Sequence, residues 1–307
     1  MHRLRNRHPR KQRRYATTMP VIARMIPPAI LLLTGCAIAS DEHPHWQPIA
    51  RIKSRELTES SGLAPCRHHD DLLWSHNDSG HRAVLFAIDL QGTIRAALRV
   101  EGAENIDWED MTSDGRGTLY LADFGDNHRR RNTCRIYAVT EPDPIRQPPE
   151  AARVRMHWDY TLPQGPTDAE AIFHHDDKLY LITKETRKQP TIYRLPFDDL
   201  YGTENKTTEP RTLQAVPVCT VPIAPVTAAD VSGNGKQLAV LSYGQLAVFD
   251  LTNGIASVEN QKPARLTLPF HMQTEACTFL DGDVIVTAES REIWRITRKH
   301  IEEAPRR

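Results

Sequence analysis

No acidic residue precedes Asp41, no apolar run is long enough to span a bilayer, and no stretch after residue 40 keeps a 3.6-residue period over three turns. The first absence isolates a strongly basic leader: Arg3, Arg5, Arg7, Arg10, Lys11, Arg13, Arg14 and Arg24. The second limits the apolar run at 25–33 to the core of a secretory signal, because a membrane span takes roughly 20 residues. The third predicts almost no helix. Cysteine is scarce as well, and no CxxC spacing occurs to suggest zinc. A GxSxG nucleophile elbow, a Rossmann fingerprint and a Walker sequence are all missing, which sets aside three common routes to catalysis.

What remains at the N-terminus is the run LTGC at 33–36, which resembles the lipobox of bacterial lipoproteins. The expected organisation is a signal peptide over 1–35, lipidation at Cys36, a tether over 36–45 and a folded domain over 46–307. Met19 would open a signal of more usual length, which places the expected start there. Removing 1–35 takes away eight of the 39 basic residues and none of the 39 acidic ones. The remaining formal charge is near −8, which argues against nucleic acid as a partner. The partner expected through Cys36 is the lipid bilayer. Ala37, not Asp, at the second mature position points to the outer membrane of a Gram-negative envelope, facing the periplasm. Cys66, Cys134, Cys219 and Cys277 remain, and an oxidising compartment leaves a disulfide among them open beside simple burial.

An internal repeat predicts the fold. A strand with an aromatic or apolar centre recurs at 84–90, 135–139, 191–195, 245–251 and 292–296. A second strand stands ahead of each copy, at 72–75, 119–122, 179–182, 238–241 and 284–287, and a third short apolar segment ahead of that. The sequences HDD at 69–71 and 175–177, SDGRG at 113–117, SGNG at 232–235 and DGD at 281–283 read as hairpin turns between them. More variable strands close the units at 94–100, 153–162, 213–221 and 264–268. Four antiparallel strands per unit of this length predict an all-β fold: a β-propeller of five four-stranded blades. The last unit has three strands of its own, and residues 47–53 supply the fourth, which would remove two exposed edges. Six blades, with one degenerate blade in 141–166 or 197–226, is the alternative.

In such a blade the start of the first strand and the end of the second share one edge, which forms one mouth of the central channel. Asp107 and Glu109, Asp168 and Glu170, and Glu275 stand at the strand starts, with Glu59, Thr227 and Gln273. The i, i+2 spacing predicts that each Asp–Glu pair shares a face. At the ends of the second strands lie His76, Asn77, Asp78, Asp126, Asn127, Lys184, Tyr243 and Glu289, a rim expected to bind substrate. Clustered carboxylates call for a cation, so Asp107, Glu109, Asp168 and Glu170 are the expected ligands of a divalent ion, with calcium favoured. Glu109, Glu170 and Glu275 are the expected catalytic groups, since crowded carboxyls can divide acid and base work. The pairs His68-His69 and His174-His175 fall on turns at the opposite mouth.

The ordered set SSGLA at 60–64, HNDSG at 76–80, DWED at 107–110, GDN at 125–127, EP at 141–142, DAEA at 168–171, TK at 183–184 and AADVS at 228–232 resembles a family of bacterial exported β-propeller lipoproteins. It spans nearly all of the mature chain. It is also distantly similar to phytase-like and esterase-like propellers, some of which bind calcium in acidic channels. Ser242 stands where a basic residue would precede the aromatic Tyr243, which weakens phosphate binding on the fourth unit. Two functions follow as expectations. One is a metal-dependent hydrolase acting on a phosphate ester or a carbohydrate; the other is a non-catalytic binding or assembly platform. Either is expected as a monomer that meets a small-molecule or envelope-polymer ligand.

Overall fold

A computed structural model describes residues 47–146, 149–197, 212–268 and 273–307. The leader, the lipobox and Cys36 lie outside the described residues. Within them the chain forms the expected β-propeller, and the strands divide into five antiparallel units of four. The first blade is Ser60–Pro65, Leu72–Asn77, Val84–Asp89 and Ile94–Glu101. The second is Trp108–Ser113, Thr118–Asp123, Cys134–Thr140 and Ala151–Thr161. The third is Ala169–His175, Lys178–Thr183, Thr191–Leu195 and Val216–Thr220. The fourth is Ala228–Val231, Gln237–Ser242, Gln245–Asp250 and Ala264–Thr267. The fifth is Thr274–Leu280, Asp283–Ala288 and Glu292–Ile296, completed by Ala50–Arg51 from the other end of the chain.

The closing strand pairs antiparallel, Ala50 with Ile293 and Arg51 with Glu292. The ladder extends through Ile49 N–H to the Ile293 carbonyl and Ile52 N–H to the Arg291 carbonyl, both 2.8 Å. The five first strands stand side by side around the axis, and the fifth returns to the first. Residues 151–161, part of the segment offered for a sixth blade, are the outer strand of blade two.

Each sheet is buried on both faces, so its middle strands read as continuous apolar runs instead of alternating ones. In Thr118–Asp123, Leu119 and Leu121 pack toward blade one while Tyr120 and Ala122 pack toward blade three. Five apolar clusters result, one between each pair of neighbouring blades; the last joins Ile285 and Ile293 to Leu63, Leu73 and Ile88. The hairpin between the first two strands of blade three turns through Asp176 and Asp177, both at positive φ (47° and 56°). Asp tolerates this region better than most side chains, and it is the geometry a two-residue hairpin demands.

Three details refine the expectation. The segment 213–221 splits: Thr212–Gln214 pairs parallel with blade two, and Val216–Thr220 closes blade three. Pro217 is tolerated there because the strand is an edge. Helix is nearly nil, as expected: Arg298–Glu303 forms a short α-helix capped by Thr297, and Ile255–Asn260 forms a 3-10 turn. Both are too short to leave a 3.6-residue period over three turns. The four cysteines are free thiols, all buried in the blades, so no disulfide forms among them.

Two carboxylates, Asp110 buried and Asp230 partly so, lace first strands together. Asp110 accepts the Ile172 N–H of blade three at 2.9 Å, and Asp230 accepts the Thr278 hydroxyl and Phe279 N–H of blade five, both at 2.8 Å. Replacing Asp230 with Ala strands two buried donors, which costs about 1–3 kcal/mol. Urea unfolding of Asp230→Ala is expected to show a loss of that size, and an unchanged midpoint would contradict the lacing role.

Candidate metal centre

The mouth begins with a backbone irregularity. In blades one, two, three and five the register of the first strand slips by one residue near its start: Ser60/Gly62, Trp108/Asp110, Ala169/Ala171 and Thr274/Ala276. The residue passed over in each case is Ser61, Glu109, Glu170 or Glu275. A bulge of this kind leaves one extra residue unpaired and re-aims its side chain. Blade four keeps a continuous register. There Thr227 precedes the strand, and its hydroxyl donates to the Thr274 carbonyl at 2.7 Å.

The bulges gather carboxylates from neighbouring blades. One oxygen each from Asp78, Asp107 and Glu109 lie within 4.8 Å of one another, and so do oxygens from Glu109, Asp168 and Glu170. Glu109 belongs to both triads. Asp107 precedes its strand and Glu109 is the bulged residue, so they meet through the bulge and not through the pleat that an i, i+2 spacing invokes. Gly125 makes the meeting possible: a Cβ there would stand 2.1 Å from Glu109 Oε1 and 2.6 Å from the Asp107 carboxyl.

These carboxylates differ in their support. Asp168 accepts the Asp126 N–H at 2.8 Å. Glu170 holds an ion pair with Lys184, whose ammonium also stands 5.5 Å from the centroid of the Tyr243 ring. Glu275 and Glu289 share the Gln273 amide, at 3.4 and 2.7 Å. Glu109 is 8% exposed, and among the described residues no donor hydrogen-bonds to its carboxylate and no cation pairs with it.

Burial and mutual repulsion raise the carboxyl pKa values. Burial, with the Asp78 charge, pushes Asp107 up to about 6. Glu109 lies well above the usual carboxylate range through burial and the charges of Glu170, Asp78 and Asp107. Burial carries Glu170 up to about 8 although Lys184 opposes it. Glu275 rises to about 7 through burial and the nearby Glu289. Burial opposes the charge on Lys184, but Glu170 outweighs it and holds the ammonium charged.

The expected rim residues have several fates. Asp78, Lys184, Tyr243 and Glu289 stand at the acidic mouth. His76 does not line a rim: it is fully buried, its ring edge-on to Trp108 at 5.3 Å, and its Nε2 faces Gly62 without a hydrogen bond. Burial depresses its pKa, which favours the neutral ring. Asn77 is a structural clip, accepting the N–H groups of Thr58 (2.8 Å) and Glu59 (3.0 Å). Asp126 accepts the N–H groups of Arg130 and Arg131 at 2.7 and 2.8 Å, which fixes the loop that presents its own N–H to Asp168. Asn127 is exposed.

Sequence reasoning assigned Asp78 to the rim and not to a triad, and it passed over Gly125 and Arg131. The Gly of GDN was the available signal for close backbone approach. Arg131 pairs with buried Asp123 at 2.8 Å behind the site. His68 and His69 lie beside Asp143, away from these triads.

No protein-family model matches the chain, and no curated protein matches it. Among solved structures it is similar to the PQQ-bound aldose sugar dehydrogenase of Streptomyces coelicolor, at 10% identity over 81% of this chain and 96% of that one, with a TM-score of 0.48. It is similar to a chain of a nidogen/laminin complex at 14% identity, over 79% and 81% of the two chains, TM-score 0.43. The Swd1 propeller domain of Myceliophteria thermophila matches at 11% identity, over 81% and 98%, TM-score 0.43.

A carboxyl whose pKa is raised by folding stays protonated where the unfolded chain has already ionised. Its contribution to stability therefore falls as pH rises. For the mouth that window runs from the ordinary carboxylate range near 4 through about 6 for Asp107 and 7 for Glu275. In metal-free protein, Glu109→Gln is expected to gain stability over the wild type as pH rises above the ordinary carboxylate range. Urea titrations at each pH test this, and parallel pH profiles would contradict it.

Proposed function

We propose that the protein is a lipid-anchored propeller of the cell envelope whose acidic mouth binds a divalent cation, calcium first, and hydrolyses a phosphate ester or carbohydrate held there. The observation that carries the reading is Glu109. It is nine-tenths buried, shared by two carboxylate triads, and makes no ion pair of its own among the described residues. A buried carboxylate in that position is costly unless it is neutralised by a proton or a cation. Oxygens within 4.8 Å of one another fit a calcium shell, whose ligands stand about 2.3–2.6 Å from the ion; magnesium demands a tighter one.

Asp78, Asp107 and Glu109 are the residues that would hold the ion, with Asp168 and Glu170 beside them. A bound divalent ion polarises an oxygen of the ligand or of a water molecule. Glu275, raised to about 7, is suited to exchange a proton near neutral pH. Tyr243 and Ile106, 38% and 54% exposed, offer apolar surface beside the acids for the non-reacting part of a ligand. The envelope location rests on the leader and on LTGC at 33–36, which assign Cys36 to the bilayer.

A ligand bound by the native state alone raises stability with the logarithm of its concentration, by about 2.7 kcal/mol at 100 times Kd. Thermal melts with increasing calcium are expected to shift upward in the wild type and to stay flat in Glu109→Gln. A flat wild-type response to calcium, magnesium and manganese would sink the cation reading. On a panel of phosphate esters and glycosides, Glu275→Gln is expected to lower turnover by about 10²–10⁴ while leaving the calcium shift in place. Calcium binding without turnover of any substrate selects the non-catalytic platform.

A further inference from the structure

The two triads overlap at Glu109, yet they are not equivalent. Among the described residues no cation pairs with Asp78, Asp107 or Glu109. In the other triad, Lys184 Nζ already sits on Glu170 Oε1. Its side chain is 16% exposed and lies over Tyr243, so it is held in place and does not sweep through solvent. Its backbone is bound to the same triad, since Lys184 N–H donates to the Asp168 carbonyl at 2.9 Å. Other basic side chains nearby are committed elsewhere: Arg131 to Asp123, Arg129 and Lys188 to Glu185, His81 to Glu59.

We propose that Lys184 is a tethered cation that fills the Glu109/Asp168/Glu170 triad, so the mouth takes one divalent ion at Asp78, Asp107 and Glu109 where its carboxylates alone would take two. The inference rests on the cation reading above and adds the stoichiometry and the residue that sets it. Two carboxylate triads sharing a bridging residue have the composition of a two-ion centre. An ammonium is a compact point charge with three donors, and it can stand where a cation would. It also excludes one, because a divalent ion placed against Glu170 would meet that charge at close range. Glu109, nine-tenths buried and without a partner among the described residues, is the open ligand left for the resident ion.

Equilibrium dialysis with calcium on the full chain tests this, with Lys184→Met keeping the length and apolar character of the stem. Wild type is expected to bind one calcium that Glu109→Gln loses. Lys184→Met is expected to bind two, and the second is lost again in Lys184→Met/Glu170→Gln. Lys184→Gln serves as the second variant, and thermal melts confirm that each is folded. Two ions on the wild type, or one on both wild type and folded Lys184 variants, overturns the inference and leaves the cation reading standing. Calcium on none of the proteins overturns both.

Discussion

One extra residue near the start of the first strand governs this molecule. Four of the five blades open with a bulge, and in three of them the unpaired residue is a glutamate. The five first strands share one narrow axis, so a side chain that leaves the pleat there has little room except toward its counterparts. Glu109 and Glu170 are thereby forced together with Asp107 and Asp168. Coulomb repulsion and lost hydration both favour the neutral form, and the raised pKa values of the mouth express that pressure.

Such a concentration of like charge survives because the ring is held elsewhere. Each sheet is apolar on both faces, and every blade shares a dry cluster with each neighbour. Asp110 and Asp230 tie neighbouring first strands below the mouth through fully satisfied backbone groups. Ala50–Arg51 completes the last sheet from the opposite end of the chain and covers the outer edge of Glu292–Ile296. The tension is confined to one rim, where a proton, an ammonium or a metal ion can relieve it, and Lys184 relieves part of it on Glu170.

The architecture was largely legible because propeller blades repeat. The recurrence of an aromatic-centred strand behind a Gly- or Asp-rich turn carries the blade count, and the three-strand last unit carries the ring closure. Glu109, Glu170 and Glu275 could be placed at one mouth from their position alone. The reason they converge could not, since a bulge leaves no periodic trace in the sequence. Local motifs misled where side chains serve the fold: HNDSG reads as a polar rim, yet His76 packs under Trp108 and Asn77 clips a loop. Asp78, from the same motif, is the one that reaches the acids. The short C-terminal helix and the split at Ala215 were invisible because each is set by tertiary packing over a few residues.

The most direct measurement of the central claim is a crystal structure of the protein soaked in manganese, with anomalous scattering recorded. A peak within coordination distance of Glu109, Asp107 and Asp78 is the predicted result. An ordered mouth with no peak there, and Glu109 hydrogen-bonded as a neutral acid, would contradict the account.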